Sequence, residues 1–138
     1  MKTLFSLTLL ALLALDAVAA ADEQKPISIK PEEAKKHVGK KCVVEFDVKK
    51  TKHAIHRKKY YVDSEEDFHD IKNIGIQIDE PMALRLREEK KVEDVVKHYA
   101  GKRIRVTGVI KLEDDLPYIK LATPDDLEIV EKKSDTKK

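Results

Sequence analysis

Gly101-Lys102-Arg103-Ile104-Arg105-Val106-Thr107-Gly108-Val109-Ile110 decides the fold of this chain. Ile104, Val106 and Ile110 fall on one phase of a period-two repeat, while Arg103, Arg105, Thr107 and Val109 fall on the other. That alternation is the mark of a strand with one buried face. Gly108 sits on the buried phase, where the absence of a side chain permits sharp coiling or the close approach of another strand. A weaker copy lies upstream at Gly39-Lys40-Lys41-Cys42-Val43-Val44-Glu45-Phe46-Asp47-Val48. Two long strands of this kind, with short strands between them, point to a small coiled sheet.

Between the copies the chain reads as strand, loop, strand, helix. The first strand runs from about 41 to 50, with Cys42, Val44, Phe46 and Val48 inward. Residues 51–59 read as a basic loop carrying His53 and His56. A short second strand covers about 59–63, and 64–72 reads as a polar, acidic loop. Ile74, Ile76 and Ile78 then alternate with Gly75, Gln77 and Asp79 as a third strand. Pro81 opens a helical stretch in which Val92, Val95, Val96 and Tyr99 follow at i, i+3, i+4 and i+7. The pattern allows one helix or two short ones. Gly101 ends it.

The fourth strand extends its inward phase to Leu112. Asp114-Asp115 reads as a turn, and residues 116–121 as the fifth strand with Ile119 and Leu121 inward. Thr123-Pro124-Asp125-Asp126 is a further turn signal before an extended piece at 127–130. Ahead of the first strand, Ile27 and Ile29 suit an extended lead-in. Pro31-Glu32-Glu33 suits a helix start, and Gly39 its end. A helix between the third and fourth strands of a five-stranded Greek-key barrel is the plan of the OB-fold.

The flanks carry an address. Lys2 precedes an apolar run from Leu4 to Leu15, followed by small residues from Ala17 to Ala21. This is the layout of a secretory signal over residues 1–20, with cleavage expected within 19–21. The run is shorter than the roughly 20 residues that span a bilayer. The expected product is exported, to the periplasm or beyond the cell, with no membrane span after signal removal. It has a flexible leader over 21–26, one domain over 27–131 and a charged, disordered tail over 132–138. The full chain has 28 basic and 26 acidic residues, a net charge of +2. A dedicated duplex binder shows a stronger basic bias. The single cysteine, Cys42, lies on an inward phase and reads as a small buried hydrophobe; no intramolecular disulfide is possible.

The stretch from Tyr99 to Gly108, with Leu116-Pro117-Tyr118-Ile119 and Pro124-Asp125-Asp126-Leu127-Glu128-Ile129-Val130, resembles the C-terminal half of small exported bacterial OB-fold domains. Tyr61-Val62-Asp63-Ser64-Glu65-Glu66-Asp67-Phe68, leading to Lys72-Asn73, resembles the strand and loop before their third strand. The resemblance covers about residues 27–131. It implies the fold, and by analogy a nucleic-acid-binding-like role, although fold alone does not establish function. Many such domains carry glutamine where Tyr118 stands.

On that plan the binding surface is the outer face of the second and third strands. Lys59, Tyr61 and Gln77 lie there by phase. Arg103 and Arg105 on the fourth strand, and Tyr118 and Lys120 on the fifth, are also outward. Single-stranded nucleic acid asks for cations on phosphates and aromatic faces under bases; Tyr61 and Tyr118 are the outward rings. The basic segment 49–59 adjoins this face.

Other chemistries are poorly supplied. The His53/His56 pair lacks the further convergent ligands of a zinc site. Asp63 to Asp67 imitates a calcium loop, but Phe68 stands where such a loop needs glycine and Ile74 where it needs an acid. No serine lies in a G-x-S-x-G setting, and neither a Walker loop nor G-x-G-x-x-G is present. The expectation is a non-catalytic binding module without cofactor or metal. Its ligand would be an anionic polymer, single-stranded nucleic acid among them, or a protein. The alternative is a structural or protein-interaction component of the cell envelope with no groove ligand.

Overall fold

A computed structural model describes residues 25–132. The signal segment, most of the leader and nearly all of the tail lie outside the described residues. The elements in chain order are β1 (Ile27–Ile29), a 3-10 helix (Pro31–His37), β2 (Lys41–Asp47), β3 (Lys50–Ala54), a 3-10 turn (Ile55–Arg57), β4 (Lys59–Asp63) and β5 (Gly75–Asp79). Then come α1 (Glu80–Lys90), α2 (Val95–Tyr99), β6 (Arg103–Glu113), β7 (Leu116–Lys120), a 3-10 turn (Pro124–Asp126) and β8 (Leu127–Ile129).

The fold is mainly β, with eight strands in one mixed sheet, rather than the five strands expected. The strand order is β1-β2-β6-β7-β5-β4-β3, with β8 added beside β6. Parallel pairs join β1 to β2 and β5 to β7; the remaining pairs are antiparallel. The hydrogen-bonded path is open, ending at β1 and β3, so the expected closed barrel is not formed as a continuous ladder. Its two long arms are instead joined through the chain itself at Val48-Lys49. There the Val48 amide bonds to the Lys102 carbonyl and the Lys49 amide to the Asp63 carbonyl.

β6 organises this arrangement because it serves two partners in succession. Residues 103–109 pair with β2, and residues 110–113 pair with β7. Gly108 sits at the changeover. A Cβ built on it would collide with Cγ2 of Ile119 on β7, so only glycine lets the two strands approach this closely. The hairpin after β6 turns on Asp114 and Asp115, both at positive φ (50° and 64°), as a two-residue primed turn requires.

The inward phases hold. Cys42, Val44, Phe46, Val48, Ile74, Ile76, Ile78, Ile104, Val106, Ile110, Ile119 and Leu121 are all buried in one core. Leu112 departs from the expectation: it is 44% exposed, because β6 runs on past the end of the core. The helical stretch is two helices. The Asp79 carboxylate caps α1 by accepting from the Met82 amide at 2.9 Å. Lys91 then turns left-handed (φ 58°) and closes the helix. Asp94 caps α2. The stripe Val92, Val95 and Tyr99 is buried across that break, with Val96 half-buried. Burial raises the Tyr99 phenol to a pKa of about 12.

The expected basic loop after the first strand is also ordered differently. Residues 50–54 form β3, paired in register with β4 from Lys50↔Asp63 to Ala54↔Lys59. Its core-side residues, Thr51 and His53, are not aliphatic. The Thr51 hydroxyl donates to the Val96 carbonyl of α2 at 2.9 Å, and the His53 ring stacks on Tyr60 at 4.1 Å.

Candidate functional site

The outer face of β3, β4, β5 and β7 is one continuous surface set by register. Lys52 lies beside Tyr61, Tyr61 beside Gln77, and Gln77 beside Lys120. In the next row Lys50 lies beside Asp63, Asp63 beside Gly75, and Gly75 beside Tyr118. An open cleft of about 410 Å³ lies over this surface. The 3-10 turn at Arg57, the loop carrying Phe68 and His69, and the β6–β7 hairpin from Glu113 to Pro117 wall it.

Of the residues expected on the binding face, Tyr61, Gln77 and Tyr118 line the cleft. Lys59 and Lys120 stand at its margin, tied to neighbours on β5. Lys59 Nζ donates to Gln77 Oε1 at 3.3 Å, and Lys120 Nζ is 3.8 Å from an Asp79 oxygen. Arg103 and Arg105 are not brought to the cleft. They project from the half of β6 that pairs with β2 and β8, where they bracket Glu45. Arg103 Nε lies 3.1 Å from one Glu45 oxygen and an Arg105 nitrogen 3.3 Å from the other, with Asp47 and Glu128 at their far sides. Partial burial pushes the Glu45 carboxyl up, but the two guanidinium groups outweigh it and leave its pKa lowered.

Other residues complete the cleft. Lys50, Lys52 and Arg57 line it, and none of the three forms an ion pair among the described residues. The basic segment signalled them, although it did not say which would face the groove. Lys49 is withdrawn from that segment by Glu65, 2.8 Å away. Phe68 was not foreseen. It is 45% exposed and lies against the His69 ring at 3.8 Å.

The Phe68 loop is held by Asn73, which is buried. Its Nδ2 donates to Asp63 Oδ1 at 3.2 Å and to the Phe68 carbonyl at 3.4 Å. Its Oδ1 accepts from the Glu65 amide at 3.0 Å and the Ser64 hydroxyl at 3.3 Å. Ser64 Oγ in turn accepts from the Ile74 amide at 2.9 Å. Burial raises the pKa of Asp63, while Asn73 and Lys50 work against the rise. Gly75 leaves room for this carboxyl, since a Cβ there would lie 3.0 Å from Asp63 Oδ1. The acids that imitated a calcium loop are engaged within the protein: Asp63 with Asn73, Glu65 with Lys49, and Asp67 with the His69 amide at 2.9 Å; Asp70 likewise accepts from the Lys72 amide at 2.9 Å.

Two polar features of the cleft floor stand out. Gln77, 5% exposed, is clamped between Lys59 and Glu113, donating from Nε2 to Glu113 Oε2 at 2.8 Å. Tyr61 Oη is buried and makes no hydrogen bond to a protein group; the Arg57 guanidinium stands next to it without reaching bonding geometry. A buried hydroxyl without a well-formed hydrogen bond costs free energy.

No protein-family model matches this chain, and no curated protein matches it. Solved structures share its fold at low identity. A Pyrococcus horikoshii asparaginyl-tRNA synthetase is 14% identical with a TM-score of 0.50, over 75% of this chain and 23% of its own. This chain thus corresponds to under a quarter of the synthetase, to its OB-fold domain. OBody AM1L10, in a structure bound to hen egg-white lysozyme, is 11% identical with a TM-score of 0.51, over 79% of this chain and 97% of the OBody. The hypothetical protein ygiW of E. coli is more distant, 12% identical with a TM-score of 0.44, over 78% of this chain and 91% of ygiW. The likeness to the synthetase and the OBody establishes an OB-like fold and no more.

Proposed function

We propose that this protein is an exported, non-catalytic OB-type binding module whose ligand, a single strand of nucleic acid, lies along the cleft over β3, β4, β5 and β7. One observation carries the reading: the rings of Tyr61, Phe68, His69 and Tyr118 share the cleft with Lys50, Lys52 and Arg57, three cations that form no ion pair among the described residues. Bases stack on rings whatever their identity, and cations track the backbone phosphates. Export rests on the signal-like segment at 1–20. Among the described residues no helix is long and apolar enough to cross a membrane.

A protein ligand is the second reading. Asp63, Glu113 and Asp114 balance the three cations, so the cleft has no strong polyanion field. An OBody of similar fold is bound to a protein, lysozyme.

Fluorescence anisotropy with a labelled ten-nucleotide single strand separates them. Three phosphate contacts give a plot of log affinity against log salt with a slope near −2, from about −0.7 per contact. Lys52→Glu with Arg57→Glu weakens binding while leaving the fold intact. No association at low salt would sink the nucleic-acid reading, and salt-insensitive capture of one envelope protein would support the second.

A further inference from the structure

We infer that Glu113, held in place by Gln77, is a specificity-determining acceptor in the cleft and favours bases that carry an exocyclic amino group over thymine. This rests on the nucleic-acid reading above and gives it a base preference.

The argument begins with the asymmetry of the cleft. Lys50, Lys52, Arg57 and the Tyr61 hydroxyl can all donate hydrogen bonds; they belong to β3, β4 and the turn between them. Glu113 belongs to the opposite wall, on the last residue of β6 before its hairpin turn. An exposed glutamate ordinarily samples many rotamers. This one is tethered, because Gln77 Nε2 donates to its Oε2 at 2.8 Å. Gln77 cannot easily turn away. It is buried, its own Oε1 accepts from Lys59, and it sits in the middle of the sheet between Tyr61 and Lys120. Lys59 at the cleft's margin, Gln77 on its floor and Glu113 on its wall therefore form one polar strip, whose end is a carboxylate with an oxygen to spare.

A base stacked on Tyr61 or Tyr118 lies over that strip and presents an edge to one wall. An ionised carboxylate only accepts. Cytosine N4, adenine N6 and guanine N2 can each donate to it. Thymine O4 at the corresponding place is an acceptor and is repelled. The Tyr61 hydroxyl, buried with only the Arg57 guanidinium beside it, adds a further polar group to this floor.

The test uses the full domain and labelled ten-nucleotide strands of dC, dA and dT in fluorescence anisotropy at fixed salt. The wild-type domain should bind dC about tenfold more tightly than dT, the size of one good polar base contact. Glu113→Gln keeps the shape and can keep the bond from Gln77, but turns a donor toward the ligand. It should lower affinity for dC and raise it for dT, narrowing or reversing the ratio. Equal binding of dC and dT by the wild type overturns the inference and leaves the nucleic-acid reading standing. A Glu113→Gln effect that strengthens every strand alike also overturns it, since that marks simple charge repulsion. No binding of any strand overturns the nucleic-acid reading and the inference together.

Discussion

Ile119 of β7 occupies the space that a side chain on Gly108 of β6 would need. The pair sits where β6 exchanges one partner strand for another, so it fixes how tightly the sheet coils beneath the cleft. Gly108→Ala forces either a shift of the buried Ile119 or a separation of the strands. Overpacking of this sort costs about 1–3 kcal/mol. Urea unfolding should show the midpoint falling accordingly. Ile119→Ala, which removes the Cγ2 methyl that collides, should recover part of the loss in the double variant, even though it destabilises alone. Additive losses in the double-mutant cycle would show that the two positions do not compete for space.

Asn73 is a hub rather than a surface polar residue. Asn73→Ala removes the donor to Asp63 and to the Phe68 carbonyl and the acceptor for Ser64 and Glu65. It also leaves Asp63 buried without that donor, a situation that costs about 1–3 kcal/mol. Destabilisation of that size should appear in chemical denaturation. Exchange of backbone amides in residues 64–72 should rise by more than in β6. A uniform rise across the chain would mean that the hub does not act on the loop.

Asp63 makes a pH prediction with a definite sign. Burial raises its folded-state pKa above the ordinary 3.8, so folding favours the protonated form. Its contribution to stability is full below the unfolded value and is lost as pH rises through the higher folded value. Asp63→Asn keeps the shape and can still accept from Asn73. It should therefore gain stability relative to the wild type as pH rises, and the gap should close in acid. Glu45 titrates in the opposite direction. Its folded pKa is lowered, so its contribution is present above the ordinary 4.5 and fades as pH falls through the depressed value. A stability difference between Asp63→Asn and wild type that does not vary with pH would refute this account.

The Arg103–Glu45–Arg105 cluster should prove separate from binding. Its members pair with one another on the half of the sheet joined to β2 and β8. Arg105→Ala should cost about 0.2–1 kcal/mol of stability, less at high salt. It should leave single-strand affinity within twofold of wild type. A tenfold loss of affinity with unchanged stability would return Arg105 to the binding surface.

How much of this was legible in the chain depends on what each signal encodes. Period-two alternation reports which side of a strand is dry, so Val44, Ile76, Val106 and Ile119 were readable as core. It does not report which quadrant of a coiled sheet an outward residue reaches. Arg105 and Tyr118 were both outward, yet only Tyr118 faces the cleft. β3 was hidden because its core-side positions are Thr51, which bonds to α2, and His53, an exposed ring stacked on Tyr60, rather than aliphatic side chains. The break at Lys91 was hidden because lysine carries no signal for a left-handed turn. Gln77 read as a surface residue, but the walls over β5 bury it. Phe68 could be placed only through Asn73, a contact across a loop that no local pattern encodes.

The Tyr61 hydroxyl supplies the most economical separation of stability from function. In the free protein Oη is buried with no well-formed hydrogen bond, only the Arg57 guanidinium beside it, so it recovers little of its desolvation cost. Tyr61→Phe should leave the unliganded domain as stable as wild type or more so, by up to about 1 kcal/mol. The same change should lower single-strand affinity, because the ring remains to stack while the donor is lost. Tyr61→Ala should lower affinity further, by about 1–3 kcal/mol for the lost base stack. Thermal unfolding and anisotropy on the same three proteins check both limbs. If Tyr61→Phe destabilised the free domain by more than 1 kcal/mol, the hydroxyl would have a partner within the protein after all. Its claim to mark the ligand's place would then fail.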